Sequence, residues 1–179
     1  MDRPNSGPFW HKEERFRPWH IGCSAASSIV TQMNTVERID LDLPMPRNED
    51  VIHLPLGLLG FERFKEYLLV ESPEEAPFRW LQALDDPALT FLVIPLMDVI
   101  GRYEPNISDE DVAFLRLNSP QDAIIFGIVT LRPQARATVN LKGPIILNRH
   151  TFRGKQVVLA NAAQYPLRYP LPTAEETDF

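Results

Sequence analysis

Short apolar runs recur along the chain, and clusters of proline, glycine, asparagine and aspartate separate them. The chain holds 17 prolines, where average usage predicts about 9. Proline lacks a backbone N–H and is poorly tolerated inside helices, so the elements are expected to be short with frequent corners. Regular short runs between turns are typical of an all-β fold, here predicted as a small, compact β-barrel of short strands. The predicted strands are residues 35–43, 51–54, 67–71, 78–84, 89–96, 122–132, 137–141, 144–148 and 156–160.

Two elements carry additional signals. Residues 122–132 form the most apolar run and are predicted to be the central strand. One short helix is predicted near residues 108–117, with Ser108 as its N-cap. Three acidic residues follow Ser108, and the helix dipole favours negative charge in the first turn.

The first 32 residues show neither a helical nor a strand period, because prolines and a glycine interrupt them. We expect a disordered extension there. The organised sequence begins at Met33, which could be a second start codon. Residues 33–171 are predicted to form one domain, and residues 172–179 a frayed tail.

The charge of the chain limits its partners. The formal net charge is −6 and the pI about 5.2, whereas a nucleic-acid binder needs a basic face. An acidic surface suits a basic protein partner instead. No apolar run approaches the roughly 18 residues of a membrane span, and the N-terminus lacks the apolar centre of a signal peptide. We therefore expect a cytoplasmic protein without direct contact to nucleic acid or membrane.

No catalytic or metal-binding pattern is complete in the sequence. His11, His20 and Cys23 lack a fourth ligand for zinc. Asp85 and Asp86 would point to opposite faces of a strand, so a turn is the better interpretation. There is no G-x-S-x-G nucleophile motif, and GLLG lacks the lysine and hydroxyl residue of a phosphate loop. The chain is expected to act by binding, without catalysis, cofactor or metal.

The stretch LPLGLLGFERF, residues 54–64, places Leu58, Leu59 and Phe61 around two glycines. These three side chains could plug one end of the barrel, or they could form an apolar patch that meets a partner. The plug is the favoured interpretation, because large apolar residues are usually buried.

Five motifs, in this order, resemble the FliW family of flagellar assembly factors. They are VIHLPLGLLGFE (51–62), FRWLQALDDPALTFLV (78–93), ATVNLKGPIILN (137–148), RGKQVVL (153–159) and QYPLRYPL (164–171). Two positions depart from the family pattern: Leu54 stands where phenylalanine is usual, and Tyr169 where the family tends to have histidine. The resemblance implies a compact β-barrel that acts through protein–protein contacts.

The resemblance also implies two partners, flagellin and the translational repressor CsrA. Free FliW holds CsrA off the flagellin messenger, and accumulated flagellin occupies FliW and releases CsrA to repress. The chain is expected to do this as a monomer. Two alternatives stay open: a β-barrel small-ligand-binding protein or enzyme with an unrecognised pocket, and an adaptor that binds through Trp10 and Trp19.

The candidate partner-binding residues combine the glycine-flanked stretch, carboxylates that could meet basic CsrA, and two further polar side chains. They are Leu58, Leu59, Phe61, Glu62, Gln82, Asp85, Asp86, Asp109, Glu110, Asp111 and Arg168. Arg168 is also expected to tie down the C-terminal segment. Trp80 is expected in the core, and Asn140 and Asn148 are expected to bond local backbone.

Overall fold

The structure, a computed structural model, describes residues 51–100 and 102–172. The predictions for the N-terminal extension, for Met33, for the strand at 35–43 and for the tail beyond Pro172 lie outside these residues.

Nine strands and two short α-helices make up the described chain. The strands are β1 Val51–His53, β2 Glu66–Glu71, β3 Arg79–Ala83, β4 Thr90–Pro95, β5 Ala123–Arg132, β6 Ala135–Val139, β7 Ile145–Asn148, β8 Gly154–Gln156 and β9 Tyr169–Pro170. The α-helices are α1 Leu96–Val99 and α2 Asp109–Leu115, and 3₁₀ turns lie at Pro73–Glu75, Pro120–Asp122 and Ala162–Gln164. Over the described residues the predicted all-β, β-rich class is confirmed, and α1 is an addition to the one predicted helix.

The predicted strand at 156–160 is wrong in its position, because β8 ends at Gln156. Beyond it, the Val157 amide donates to the Pro144 carbonyl at 2.9 Å. Pro144 has no N–H to return that bond, so the ladder stops there. The two-residue strand β9 was not predicted, because it is too short to show a period.

The neighbouring strands pair antiparallel in the order β1-β2-β3-β4-β5-β6-β9, and β7 and β8 branch from β5. Phe126 of β5 pairs with Pro95 on one edge and with Ile145 on the other. Further along, Val129 pairs with Val139 of β6. The predicted central position of residues 122–132 is therefore confirmed.

One isolated bridge joins β1 to the segment that leads into β8. It pairs His53 with Arg153 in parallel, and the His53 amide donates to the Phe152 carbonyl at 2.9 Å. No longer ladder joins these two ends among the described residues. The all-β class holds, and closure into a barrel is not confirmed.

Apolar clusters cover both faces of the sheet. In β4, Leu92 and Ile94 belong to one cluster, and Val93 between them belongs to the other. This division follows from the alternation of side chains along a strand. Trp80, expected in the core, is half-buried against the first cluster, and its indole N–H donates to Glu75 at 2.7 Å.

Helix α2 has a defined start and end. The Ser108 hydroxyl oxygen accepts the Asp111 amide at 3.1 Å, which confirms the predicted N-cap. After Leu115 the chain turns through a left-handed Arg116 with φ 55°. The buried Asn148 side chain donates to the carbonyls of Leu115 at 3.0 Å and Arg116 at 2.9 Å. Asn148 thus satisfies carbonyls that a helix end leaves open.

The side-chain oxygens of both asparagines accept nearby backbone amides, as expected. Asn148 accepts His150 at 2.9 Å and Thr151 at 3.2 Å. Asn140 accepts Lys142 at 2.9 Å and Gly143 at 3.2 Å.

Candidate protein-binding surface

Residues 54–64, here called the glycine loop, present three large apolar side chains to solvent. Leu56 is 51% exposed, Leu59 60% and Phe61 38%. Leu58, by contrast, is buried in the second apolar cluster. The predicted burial therefore holds for Leu58 and fails for Leu59 and Phe61.

The two glycines cause this division. Gly57 has φ +73° and Gly60 φ +84°, a region that side chains with a β-carbon rarely adopt. Between them the chain makes a tight turn, in which the Phe61 amide donates to the Leu58 carbonyl at 2.8 Å. The turn directs Leu58 inward and leaves Leu59 at the tip.

Two side chains fix the tip of the glycine loop. The Glu62 carboxylate accepts the Gly60 amide at 2.8 Å, and this hydrogen bond is the main reason why the pKa of Glu62 lies below its ordinary value. The Gln156 side-chain oxygen accepts the Leu59 amide at 2.9 Å. Its amide nitrogen donates to the Gly143 carbonyl at 3.1 Å. The backbone at the tip of the loop, at Leu59 and Gly60, is therefore fixed without a partner.

A cleft of about 490 Å³ adjoins the glycine loop. Its lining combines apolar side chains with two carboxylates and one guanidinium, namely Gly60, Phe61, Glu62, Arg63, Phe64, Asp86 and Leu89. The Arg63 guanidinium lies 4.3 Å from the centre of the Phe64 ring. The Phe61 ring packs edge-on against Phe91 at 5.0 Å. Three predicted site residues, Phe61, Glu62 and Asp86, thus meet at one cleft.

The turn after β3 supplies the other wall of this cleft. Asp86 accepts the Ala88 amide at 3.3 Å, which agrees with the predicted turn. The Gln82 side chain donates to the Pro87 carbonyl at 2.8 Å and so supports the same turn. Asp85 is exposed beside it. Gln82 positions the turn, and Asp85 adds a carboxylate next to the cleft.

The acidic start of α2 is less available than its sequence indicates. Asp109 and Glu110 are exposed, but Asp111 is only 8% exposed. Its carboxylate forms an ion pair with Lys155 and accepts the Ser108 hydroxyl at 2.8 Å. Asp111 is therefore corrected from a surface candidate to a buried residue that joins α2 to β8.

The Arg168 side chain is exposed, and among the described residues nothing shows it holding the C-terminal segment. Instead, the Tyr165 hydroxyl donates to the Glu104 carbonyl at 2.9 Å and accepts the Glu104 amide at 3.0 Å. Tyr169, which stands where the family tends to have histidine, is half-buried and pairs with Val139.

The second apolar cluster leaves little room for a ligand. Its void measures about 10 Å³, which is near the size of one water, whereas ligand pockets measure roughly 300–1,000 Å³. Among the described residues, no group of three or more His, Cys, Asp or Glu is placed to hold a metal. None of the described helices has the length and apolar character that crossing a membrane requires.

Sequence patterns alone did not point to Leu56, Arg63, Phe64 or Leu89. Leu56 stands between Pro55 and Gly57, and this position between two turn-forming residues is the one local signal that its side chain would be exposed. The remaining three become part of the cleft only through the pairing of β2 with β3, which the sequence does not show.

Comparisons with known proteins agree on one family. The FliW protein family model matches residues 41–171. A flagellar assembly factor FliW from Leptospira biflexa serovar Patoc is 44% identical over 114 residues, which cover 62% of this chain and 74% of that protein. One from Natranaerobius thermophilus is 39% identical over 127 residues, covering 69% and 83%.

A crystal structure of the flagellar assembly factor FliW superposes with a TM-score of 0.62 at 29% identity, covering 73% of this chain and 89% of that one. The family model, the sequence relatives and the fold all point the same way. This chain belongs to the FliW family of flagellar assembly factors.

Proposed function

We propose that this chain is a non-enzymatic cytoplasmic factor that binds flagellin and antagonises the translational repressor CsrA. Through these two partners it would couple flagellin synthesis to flagellum assembly. Family membership supports the flagellar role. The two named partners follow from the resemblance of its motifs to FliW.

The observation that carries the proposal is the preformed apolar surface of the glycine loop. Exposed apolar residues that lie together in one patch mark interaction sites. Leu56 and Leu59 are more than half exposed, and the hydrogen bond from the Leu59 amide to Gln156 fixes the backbone at the tip of the loop. A preformed surface loses little conformational entropy on binding. It suits an apolar helix face, which unassembled flagellin presents.

The negative charge supports the second partner. The chain carries a formal net charge of −6, and CsrA must be basic where it holds RNA. Glu62 and Asp86 line the cleft, and Asp85, Asp109 and Glu110 are exposed. Opposite charges of this kind accelerate association and favour the correct partner. The proposal includes no direct contact with nucleic acid.

Calorimetric titration of the full chain tests the proposal. The wild type should bind flagellin and CsrA separately, and saturation with flagellin should weaken CsrA binding. Leu59→Ser should weaken flagellin binding roughly tenfold or more, as loss of an interface anchor does. Val158→Ser is the matched control, because Val158 is 69% exposed outside the glycine loop. If neither flagellin nor CsrA binds at micromolar concentration, the proposal is overturned.

A further inference from the structure

One sequence feature is not accounted for by the family fold. Residues 15–19 read Arg-Phe-Arg-Pro-Trp, with two guanidinium groups, two aromatic rings and no acidic residue. They precede the part of the chain that the family model matches, residues 41–171. A segment of this chemistry favours a surface that offers apolar contact beside carboxylates.

The described residues offer such a surface at the glycine loop. Leu59 and Phe61 are exposed there, and Glu62 and Asp86 line the adjoining cleft. Apolar groups that would receive aromatic rings thus lie next to two carboxylates that would receive guanidinium groups. The guanidinium of the cleft itself, Arg63, lies over the Phe64 ring at 4.3 Å. The segment carries +2 from Arg15 and Arg17, whereas residues 33–179 carry −7, so the two are opposite in charge.

We propose that residues 15–19 of this chain bind the glycine loop and its cleft, and that this self-contact competes with the protein partner. The self-contact stands independently of the proposed function. The competition rests on the proposed function, because competition requires a partner that uses the same surface.

Chain length permits the contact. About 30 residues separate Trp19 from Val51, and Val51 lies close in sequence to the glycine loop. An extended chain covers roughly 3.3 Å per residue, so such a connection reaches up to about 100 Å. A tethered segment meets its site at an effective concentration up to the millimolar range. A contact whose Kd lies below that concentration would therefore be occupied most of the time.

Fluorine NMR of the full chain labelled with 5-fluorotryptophan tests the self-contact. The chain has three tryptophans, so Trp10→Phe and Trp19→Phe variants assign the resonances. The Trp19 resonance should differ from that of a synthetic peptide of residues 13–21. Leu59→Ser and Asp86→Asn should each move it towards the peptide position. The Trp80 resonance, from a half-buried core residue, should stay in place and show that the fold is intact.

Val158→Ser is the matched control and should leave the Trp19 resonance unchanged. A wild-type resonance at the peptide position, or one that Leu59→Ser does not move, would overturn the self-contact. A shift that grows with protein concentration would mean that the segment binds a second copy, and would also overturn it.

The competition has its own measurement. Trp19→Ala in the full chain should tighten partner binding at least threefold in the titrations with flagellin and CsrA. An unchanged affinity for a partner that does bind would overturn the competition and leave the self-contact standing. Failure of both partners to bind would overturn the proposed function together with the competition, whereas the NMR result would still decide the self-contact.

Discussion

A β-carbon added to Gly57 would lie 2.6 Å from the α-carbon of Glu62. The backbone of the glycine loop therefore passes over itself where only hydrogen fits. This close approach positions the Glu62 carboxylate to accept the Gly60 amide.

Gly57→Ala should destabilise the fold by about 3 kcal/mol or more, because it combines a left-handed backbone with a clash against backbone atoms. Gly60→Ala is the matched control, since φ is +84° there but no atom lies within 4 Å of the added carbon. It should cost only about 1 kcal/mol. Urea unfolding measures both, and equal losses would show that the close approach to Glu62 is not a constraint.

The hydrogen bond from the Gly60 amide to the Glu62 carboxylate should depend on pH. The hydrogen bond from the Gly60 amide is the main cause that lowers the pKa of Glu62 below its ordinary value of 4.5. A depressed folded-state pKa means that the stabilisation is fully present above pH 4.5 and is lost as the pH falls through the folded-state pKa. The Gly60 amide shift should titrate with a midpoint below 4.5, and Glu62→Gln should abolish that titration. A midpoint at or above 4.5 would contradict a stabilising hydrogen bond between Gly60 and Glu62.

Asn148→Ala should destabilise the chain by about 2–3 kcal/mol, because it leaves buried carbonyls and turn amides without partners. Asn140→Ala is the comparison, since Asn140 is only half-buried and serves one local turn. It should cost about 1 kcal/mol. Thermal unfolding of the two variants provides the measurement. A larger loss of stability for Asn140→Ala than for Asn148→Ala would contradict this prediction.

Lys155→Met should lower the free energy of unfolding by about 2 kcal/mol, because it leaves the Asp111 carboxylate without its cationic partner. Breaking a fully buried pair costs more, about 3–5 kcal/mol. The side chains of the pair are 23% exposed for Lys155 and 11% for Asp111. Adding Asp111→Asn should recover part of the loss, since the stranded charge is then removed. A double-mutant cycle in urea measures the coupling, and simple additivity would mean that the pair contributes nothing.

Features that depend on neighbouring residues were predictable from the sequence. Ser108 caps α2 because a hydroxyl at that position meets amides of the next turn. The run at 122–132 is central because a strand covered on both faces needs apolar side chains on both. The ordered motifs that identify the family also required no structure.

Features that depend on the backbone path or on distant residues were not predictable. Leu58 and Leu59 are adjacent and chemically identical, and only the turn between Gly57 and Gly60 decides which one is buried. Asp111 and Lys155 are 44 residues apart. The acidic start of the helix therefore could not show that one of its carboxylates is buried in an ion pair. The cleft likewise exists only because β2 and β3 pair.

The glycine loop also divides its positions by how freely they can change. Gly57 sets the path and Leu58 anchors it, so substitutions at these two positions disturb the fold. Leu56 and Leu59 contribute little to the core, and their side chains can be exchanged at small cost in stability. Binding preference at this surface is therefore able to drift through mutation while the scaffold beneath it stays the same.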